Sequence, residues 1–221
     1  MTDQTLCYIF GAGTITPDSL CLAQPRYVIA ADAGLAYLQA HEIPADLVLG
    51  DFDSLGEIPE HPRLLLYPSQ KNDTDMLLAV REGLSRGYQT FLLYGGMGGR
   101  LDHTIANLQT LSFLAERGAA GYLIGNGTAA TAVKNGTLRF PHHCTGIISV
   151  FSFDGTAHDV TLRGLKYELS DYEMTSSFPI GVSNEFTGAP CSISVSDGTL
   201  LVLWPHDETR PVDYILRSTS L

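Results

Sequence analysis

Short apolar runs alternate with stretches of helical period along the first part of the chain. Leu6 to Phe10, Tyr27 to Ala31, Leu47 to Leu49, Leu64 to Tyr67, Phe91 to Tyr94 and Tyr122 to Ile124 have the length and composition of buried strands. Two helical stretches stand out between them. From Asp73 onward Met76, Leu77, Val80 and Leu84 recur at helical spacing, with Asp73 or Thr74 available to cap the start and Gly87 to end it. The other runs from about Thr104 to Arg117, with Ile105, Leu108, Leu111 and Ala115 on one face and Gly118 after its end. Strand and helix in alternation predict a mainly parallel sheet covered on both faces.

The pattern changes character between about residues 125 and 140, so a domain boundary is expected there. After Asn135 the helical period disappears, and Ile147 to Phe153, Val160 to Leu169, Ile193 to Val195 and Leu200 to Trp204 read as strands. Asp154-Gly155 and Asp197-Gly198 are turn signals, the latter a short-hairpin signature between Ser192–Ser196 and Thr199–Leu203. The expectation is an α/β domain over residues 1–135 and a smaller all-β domain, an antiparallel sandwich or barrel, over residues 136–221.

Composition narrows the function. The chain has 221 residues, 44% of them hydrophobic, enough to bury a real core, and a formal charge of −11. No basic surplus exists to neutralise phosphates, which argues against nucleic acid and anionic membranes, and an anionic substrate would need bridging cations. Cys7, Cys21, Cys144 and Cys191 lie far apart with no zinc-ligand spacing and read as reduced thiols. Met1 is followed by Thr2, Asp3 and Gln4 with no basic leader, and no apolar run reaches the ~18 residues of a membrane span, so the cytoplasm is the expected address.

Three successive strand-to-helix loops carry aspartates. Leu47-Val48-Leu49-Gly50 runs into Asp51-Phe52-Asp53-Ser54, Lys71-Asn72-Asp73-Thr74-Asp75 opens a helix, and Gly95-Gly96-Met97-Gly98-Gly99-Arg100-Leu101-Asp102-His103 joins a strand to the next helix. Ligands of open α/β sheets sit beyond the carboxyl ends of the strands. Grouped carboxylates repel unless a cation relieves them, and Mg²⁺ typically bridges one or two carboxylates to substrate phosphates. The glycines of the third loop would let backbone N–H groups approach phosphate at a helix start, and Arg100 is suited to a bidentate clamp. Each piece also has a plainer reading. Asp73 reads first as a helix cap, Asp51 and Asp53 can form a solvated turn, and the glycines can be a tight connection. All three coinciding in register favours phosphoryl chemistry.

Gly11-Ala12-Gly13 after the first strand is a weak nucleotide-phosphate signal, because Thr16 stands where a third glycine would be; a turn explains it equally well. Asp32, in Ala31-Asp32-Ala33-Gly34, joins the polar edge or caps a helix. His103 begins a helix or orients the site. His142, His143 and Cys144 match no usual zinc spacing and read as surface residues.

Taken in order, Ala31-Asp32-Ala33-Gly34, Gly50-Asp51-Phe52-Asp53-Ser54, Asp73-Thr74-Asp75, Gly98-Gly99-Arg100-Leu101-Asp102-His103, Gly164-Leu165-Lys166-Tyr167 and Val182-Ser183-Asn184 resemble the thiamine pyrophosphokinase family across the chain. The resemblance implies an N-terminal α/β nucleotide domain and a C-terminal β-sandwich, in a homodimer with its active site at the subunit interface. It implies that Asp51, Asp53, Asp75 and Asp102 are catalytic and hold Mg²⁺ and the triphosphate. Asp32, Lys71, Asn72, Thr74, Gly98, Gly99, Arg100 and His103 would contact ATP, and Ser183, Asn184 and Tyr167 thiamine. The implied reaction moves the pyrophosphoryl group of ATP to the thiamine hydroxyl.

Two other classes fit part of the pattern. Asp51-x-Asp53 suits a nucleotide-sugar transferase but leaves the Asp75 and Asp102 loops unexplained. A non-enzymatic nucleotide or thiamine sensor predicts tight binding without AMP release.

Overall fold

The computed structural model describes residues 6–15, 20, 22–24, 26–52, 58–68, 70, 72–207 and 216–219. Asp53, Lys71 and Cys21 lie outside them. The chain divides into two units, residues 1–110 with 121–126, and residues 111–120 with 127–221.

The first unit is α/β. Its strands are β1 (Leu6–Phe10), β2 (Arg26–Ala31), β3 (Leu47–Gly50), β4 (Leu64–Leu66), β5 (Thr90–Tyr94) and, from Gly121 on, β6 (Ala120–Gly125), interleaved with α1 (Gly34–Ala40), α2 (Asp75–Ser85) and the first part of α3 (Leu101–Glu116), whose residues from Leu111 on belong to the second unit. Strand order is β6-β5-β1-β2-β3-β4, and β5, β1, β2, β3 and β4 pair in parallel. In β1, Cys7, Tyr8, Ile9 and Phe10 are wholly buried, as a central parallel strand covered on both faces requires. Tyr8 keeps its phenol paired while buried, its oxygen accepting from Ala23 N at 2.9 Å.

The helices settle differently from their leucine patterns. In α2 the buried residues are Met76, Ala79, Val80 and Gly83, while Leu77 and Leu84 are half-exposed flanks. Small residues face the sheet because there is no room for more: a Cβ on Gly83 would lie 2.5 Å from the Phe91 ring. In α3, Asn107, Thr110, Leu111 and Leu114 are buried and Ile105 is half-exposed, so the expected face is rotated. α3 starts at Leu101, earlier than its apolar period, and α1 was too short to announce itself by period.

The second unit is antiparallel, with β7 (Thr128–Lys134), β8 (Gly136–Phe140), β9 (Ile147–Ser152), β10 (Thr156–Arg163), β11 (Leu169–Thr175), β12 (Asn184–Glu185), β13 (Cys191–Ser194), β14 (Thr199–Pro205) and β15 (Leu216–Thr219). These form two sets, β12-β9-β14-β7 and β11-β10-β13-β8-β15. The expected hairpin at Asp197-Gly198 is not one: β13 pairs with β8 and β10, β14 with β7 and β9. The turn carries the chain from one sheet to the other. Gly198 packs on Ala157, where a Cβ would stand 2.8 Å from its Cα, and Asp197 O accepts from His158 N at 2.8 Å. The single strand expected from Val160 to Leu169 is two, β10 and β11, joined by the loop containing Gly164-Leu165-Lys166-Tyr167.

Cys144 is buried, not at the surface, although His142 and His143 are exposed. Cys7, Cys144 and Cys191 are free thiols. Among the described residues no helix is long and apolar enough to cross a membrane.

Candidate active site

In the first unit the chain winds outward from β1 through β2, β3 and β4, then returns to add β5 on the other side of β1. Such a reversal opens a crevice above the carboxyl ends of the two strands that flank it. Two backbone hydrogen bonds continue the β1–β5 pairing past the strand ends, Gly11 N to Tyr94 O at 2.8 Å and Gly13 N to Gly95 O at 2.9 Å. The loops approach so closely that a Cβ on Gly13 would stand 2.4 Å from Gly95 O. The glycines of Gly11-Ala12-Gly13 are thus required by loop-on-loop packing, and they also line the crevice.

That crevice has a volume of about 430 Å³. Asp32, Thr74, Asp75, Gly98, Gly99, Arg100 and His103, seven of the residues marked by the sequence, share its wall. Gly96, from the same marked loop, also lines it, as do Met76 and Asn107, which were not singled out for the site. Only Asn107 carried a readable signal, since it follows His103 by one helical turn and so shares its face of α3.

Thr74 is the cap of α2, its Oγ1 accepting from Leu77 N at 3.2 Å. Asp73 instead pairs with Arg81 at 2.9 Å. Asp75, in the first turn of α2, is thereby turned to the cleft wall. Asp32 is not the cap of α1, whose N-cap is Ala33 and makes no side-chain cap bond. Asp32 adopts a left-handed backbone, φ 51°, and its N–H donates to Leu49 O at 2.8 Å, which ties the end of β2 to the end of β3.

Asp51 follows β3 and does not line the cleft itself. Next to it Phe52 is left-handed, φ 59°, with its ring 2% exposed. A bulky residue rarely takes this conformation, and the burial of the ring holds it there. Asn72 is exposed and outside the cleft lining.

Asp102 forms a forked ion pair with Arg100, Oδ2 to Nη2 at 2.6 Å and Oδ1 to Nε at 3.2 Å, and also accepts from His103 N at 3.0 Å. The guanidinium holds the Asp102 carboxyl below the ordinary carboxylate range and is itself pushed up. Among the described residues no three His, Cys, Asp or Glu side chains form a ready-made metal cluster.

In the second unit, Asn184 is buried and clamps Tyr167 from both sides, accepting from Tyr167 N at 3.0 Å and donating to Tyr167 O at 2.7 Å. The Tyr167 ring is left 60% exposed. Both residues line a cavity of about 250 Å³ with Ile180, Gly181 and Val182. Ser183, left-handed at φ 59°, is outside that lining and donates its N–H to Ser149 Oγ at 3.1 Å.

Comparison with known proteins covers both units. A family model described as "Thiamin pyrophosphokinase, catalytic domain" matches residues 19–120, and another described as "Thiamin pyrophosphokinase, vitamin B1 binding domain" matches residues 137–200. A thiamine pyrophosphokinase of Bacillus subtilis is 28% identical over 194 residues, covering 81% of this chain and 87% of that protein. A crystal structure of thiamine pyrophosphokinase from Bacillus subtilis superposes with a TM-score of 0.79 at 26% identity, over 92% of this chain and 99% of that one. The structure of thiamin pyrophosphokinase from Candida albicans shares the fold at 16% identity, with a TM-score of 0.71 over 90% of each chain.

Proposed function

The chain belongs to the thiamin pyrophosphokinase family, and from that premise we propose how its residues transfer the pyrophosphoryl group of ATP to the thiamine hydroxyl, giving thiamine diphosphate and AMP. The carrying observation is the crevice between β1 and β5, where carboxylates, a guanidinium and glycine backbone meet at one sheet edge.

ATP takes the first-unit cleft. Gly98 and Gly99 offer backbone N–H groups at the start of α3, an arrangement suited to phosphate. Arg100 grips the triphosphate, and Thr74, Asn72, Lys71, Asp32 and His103 complete the contacts. The exposed ring of Tyr167, with Ser183 and Asn184, takes thiamine in the second unit. Geometry there favours Asn184 as the residue that fixes Tyr167.

The donor set fits Mg²⁺: Asp32 and Asp75 are hard oxygen donors on the wall of the same cleft that offers glycine N–H groups to phosphate. Asp75 on the wall, with Asp51, Asp53 and Asp102 from the neighbouring loops, would hold the ion, and Asp32 would stand beside it. When bound it supplies charge neutralisation for the polyphosphate. The thiamine hydroxyl oxygen attacks the β-phosphorus, the bond to the α-phosphoryl oxygen breaks, and AMP leaves. Positioning and electrostatic stabilisation by the aspartate loops and Arg100 provide most of the acceleration.

Two antiparallel sheets whose residues meet edge to face, Phe140 of β8 against Trp204 of β14 at 5.3 Å, support reading the second unit as a sandwich. A homodimer with the active site at the subunit interface is supported by exposed apolar side chains beside the thiamine residues, Phe178, Ile180 and Val182. A cytoplasmic address accords with the free thiols.

Incubation with ATP, Mg²⁺ and thiamine, followed by chromatography, tests the reaction. Equimolar AMP and thiamine diphosphate, abolished by chelation, is the expected result. A folded protein that binds ATP and releases neither product overturns it.

A further inference from the structure

α3 buries polar side chains on the face it turns inward, at Asn107 and Thr110. A buried polar group is costly unless it is hydrogen-bonded. Thr110 solves this within its own helix, donating to Ala106 O at 3.0 Å. Asn107, 5% exposed, reaches out of the helix instead: its Nδ2 donates to Gly96 O at 2.8 Å across eleven residues.

The acceptor sits in a segment that cannot hold its own shape. Residues 95–99 are Gly-Gly-Met-Gly-Gly, and Gly95, Gly98 and Gly99 all take left-handed backbone, with φ of 66°, 80° and 71°. Glycine has the most conformational freedom to lose on folding, so an ordered glycine run depends on contacts from outside. Among the described residues two hydrogen bonds reach it from outside, Gly13 N on Gly95 O and Asn107 Nδ2 on Gly96 O, beside the burial of Met97 and the approach of Asn126 to Gly98. Gly96 is also closed in sterically, since a Cβ there would lie 2.9 Å from Asn107 Nδ2 and 2.7 Å from Leu123 Cδ1.

We propose that Asn107 is a positioning residue for nucleotide, a clamp that holds the glycine loop in the shape that presents its backbone N–H groups to the triphosphate. The proposal rests on ATP occupying this cleft. Asn107 does not touch the reacting atoms in it; it acts through Gly96. A leucine at this position would satisfy burial but leave Gly96 O without its donor.

The test uses the full-length protein with Asn107→Asp and Asn107→Leu. Hydrogen–deuterium exchange without ligand reads the loop directly: exchange over residues 95–100 should rise in both variants while β1 and β5 stay protected. In steady-state kinetics kcat/KM for ATP should fall about 10-fold or more and KM for thiamine should stay within about 2-fold, the size expected for one lost buried hydrogen bond. For Asn107→Asp, a protonated carboxyl regains a donor for Gly96 O. Its nucleotide affinity relative to the unaltered protein, by equilibrium dialysis with ATP, should therefore recover as pH falls through the carboxyl range, while Asn107→Leu shows no recovery.

Unchanged loop exchange and unchanged ATP parameters in a folded variant overturn the clamp. If Asn107→Leu fails to fold, the exchange and pH readouts on Asn107→Asp decide alone. Should that variant unfold too, Gly96→Ala, which presses on the same contact, replaces both, and normal ATP parameters there reject the proposal. Absence of thiamine diphosphate with the unaltered protein would instead overturn the reaction, and the exchange result would still stand.

Discussion

Arg100 turns one edge of its guanidinium, Nε and Nη2, onto Asp102, two residues away, on a surface where the two side chains are 72% and 65% exposed. The group best shaped to grip a polyphosphate is therefore engaged before ligand arrives. An exposed pair is worth little in water, so exchanging a carboxylate for phosphate costs little and Arg100 can change partners freely.

Arg100→Lys should raise KM for ATP about 10-fold with a smaller effect on kcat, because an ammonium cannot form the planar two-point contact. Initial rates over a range of ATP concentrations check this. An unchanged KM would confine Arg100 to its bond with Asp102.

Asp75→Asn and Asp53→Asn should each reduce turnover by at least ~10²-fold at saturating Mg²⁺, the scale on which losing a transition-state stabiliser is felt. Either variant turning over at a near-normal rate would remove that residue from the proposed core.

Gly13→Ala places a methyl 2.4 Å from Gly95 O, a backbone atom that cannot swing aside. Destabilisation of about 1–3 kcal/mol, the usual range for overpacking, is expected together with weaker ATP binding. Denaturant unfolding and nucleotide titration measure the two. Wild-type values for both would mean the loops separate without consequence.

Burial pushes the Cys191 thiol up to about 12 from an ordinary 9.0, and raises Cys7 further. The folded state holds these protons more tightly than the unfolded chain does. Their contribution is complete below pH 9 and is lost as pH rises from there towards 12, with a limiting slope of ~1.4 kcal/mol per pH unit for each thiol. Unfolding free energies between pH 8 and 11 should fall, less steeply in Cys191→Ala, and iodoacetamide should label Cys7 and Cys191 only on unfolding. Rapid labelling of the native protein would contradict the burial argument.

The parallel sheet was legible because a strand covered on both faces has to be apolar at nearly every position, and β1, Leu6–Phe10, is an unbroken run. β7 was missed for the opposite reason: Ala129, Ala130 and Ala132 are fully buried, yet alanine and threonine carry little strand signal. Asp197-Gly198 misled because Asp-Gly marks a tight reversal without saying whether the next strand joins the same sheet. At the site, Asp32, Asp75, Arg100 and His103 were readable from loops that interrupt apolar runs. Asn107 was readable only as the residue one turn after His103; its bond was not, since the partner Gly96 precedes it by eleven residues and nothing local marks the contact.

The passage from β13 to β14 also sets how the second unit comes apart. Only residues 195–198 connect Ser194 in one sheet to Thr199 in the other, a tether that spans roughly 17 Å at full stretch. So little slack means that neither sheet can drift away while the other stays intact. Loosening β13 pulls on β14, which lies between β7 and β9. Parting the two sheets by more than that length therefore requires β13 or β14 to unravel from the end that faces the turn.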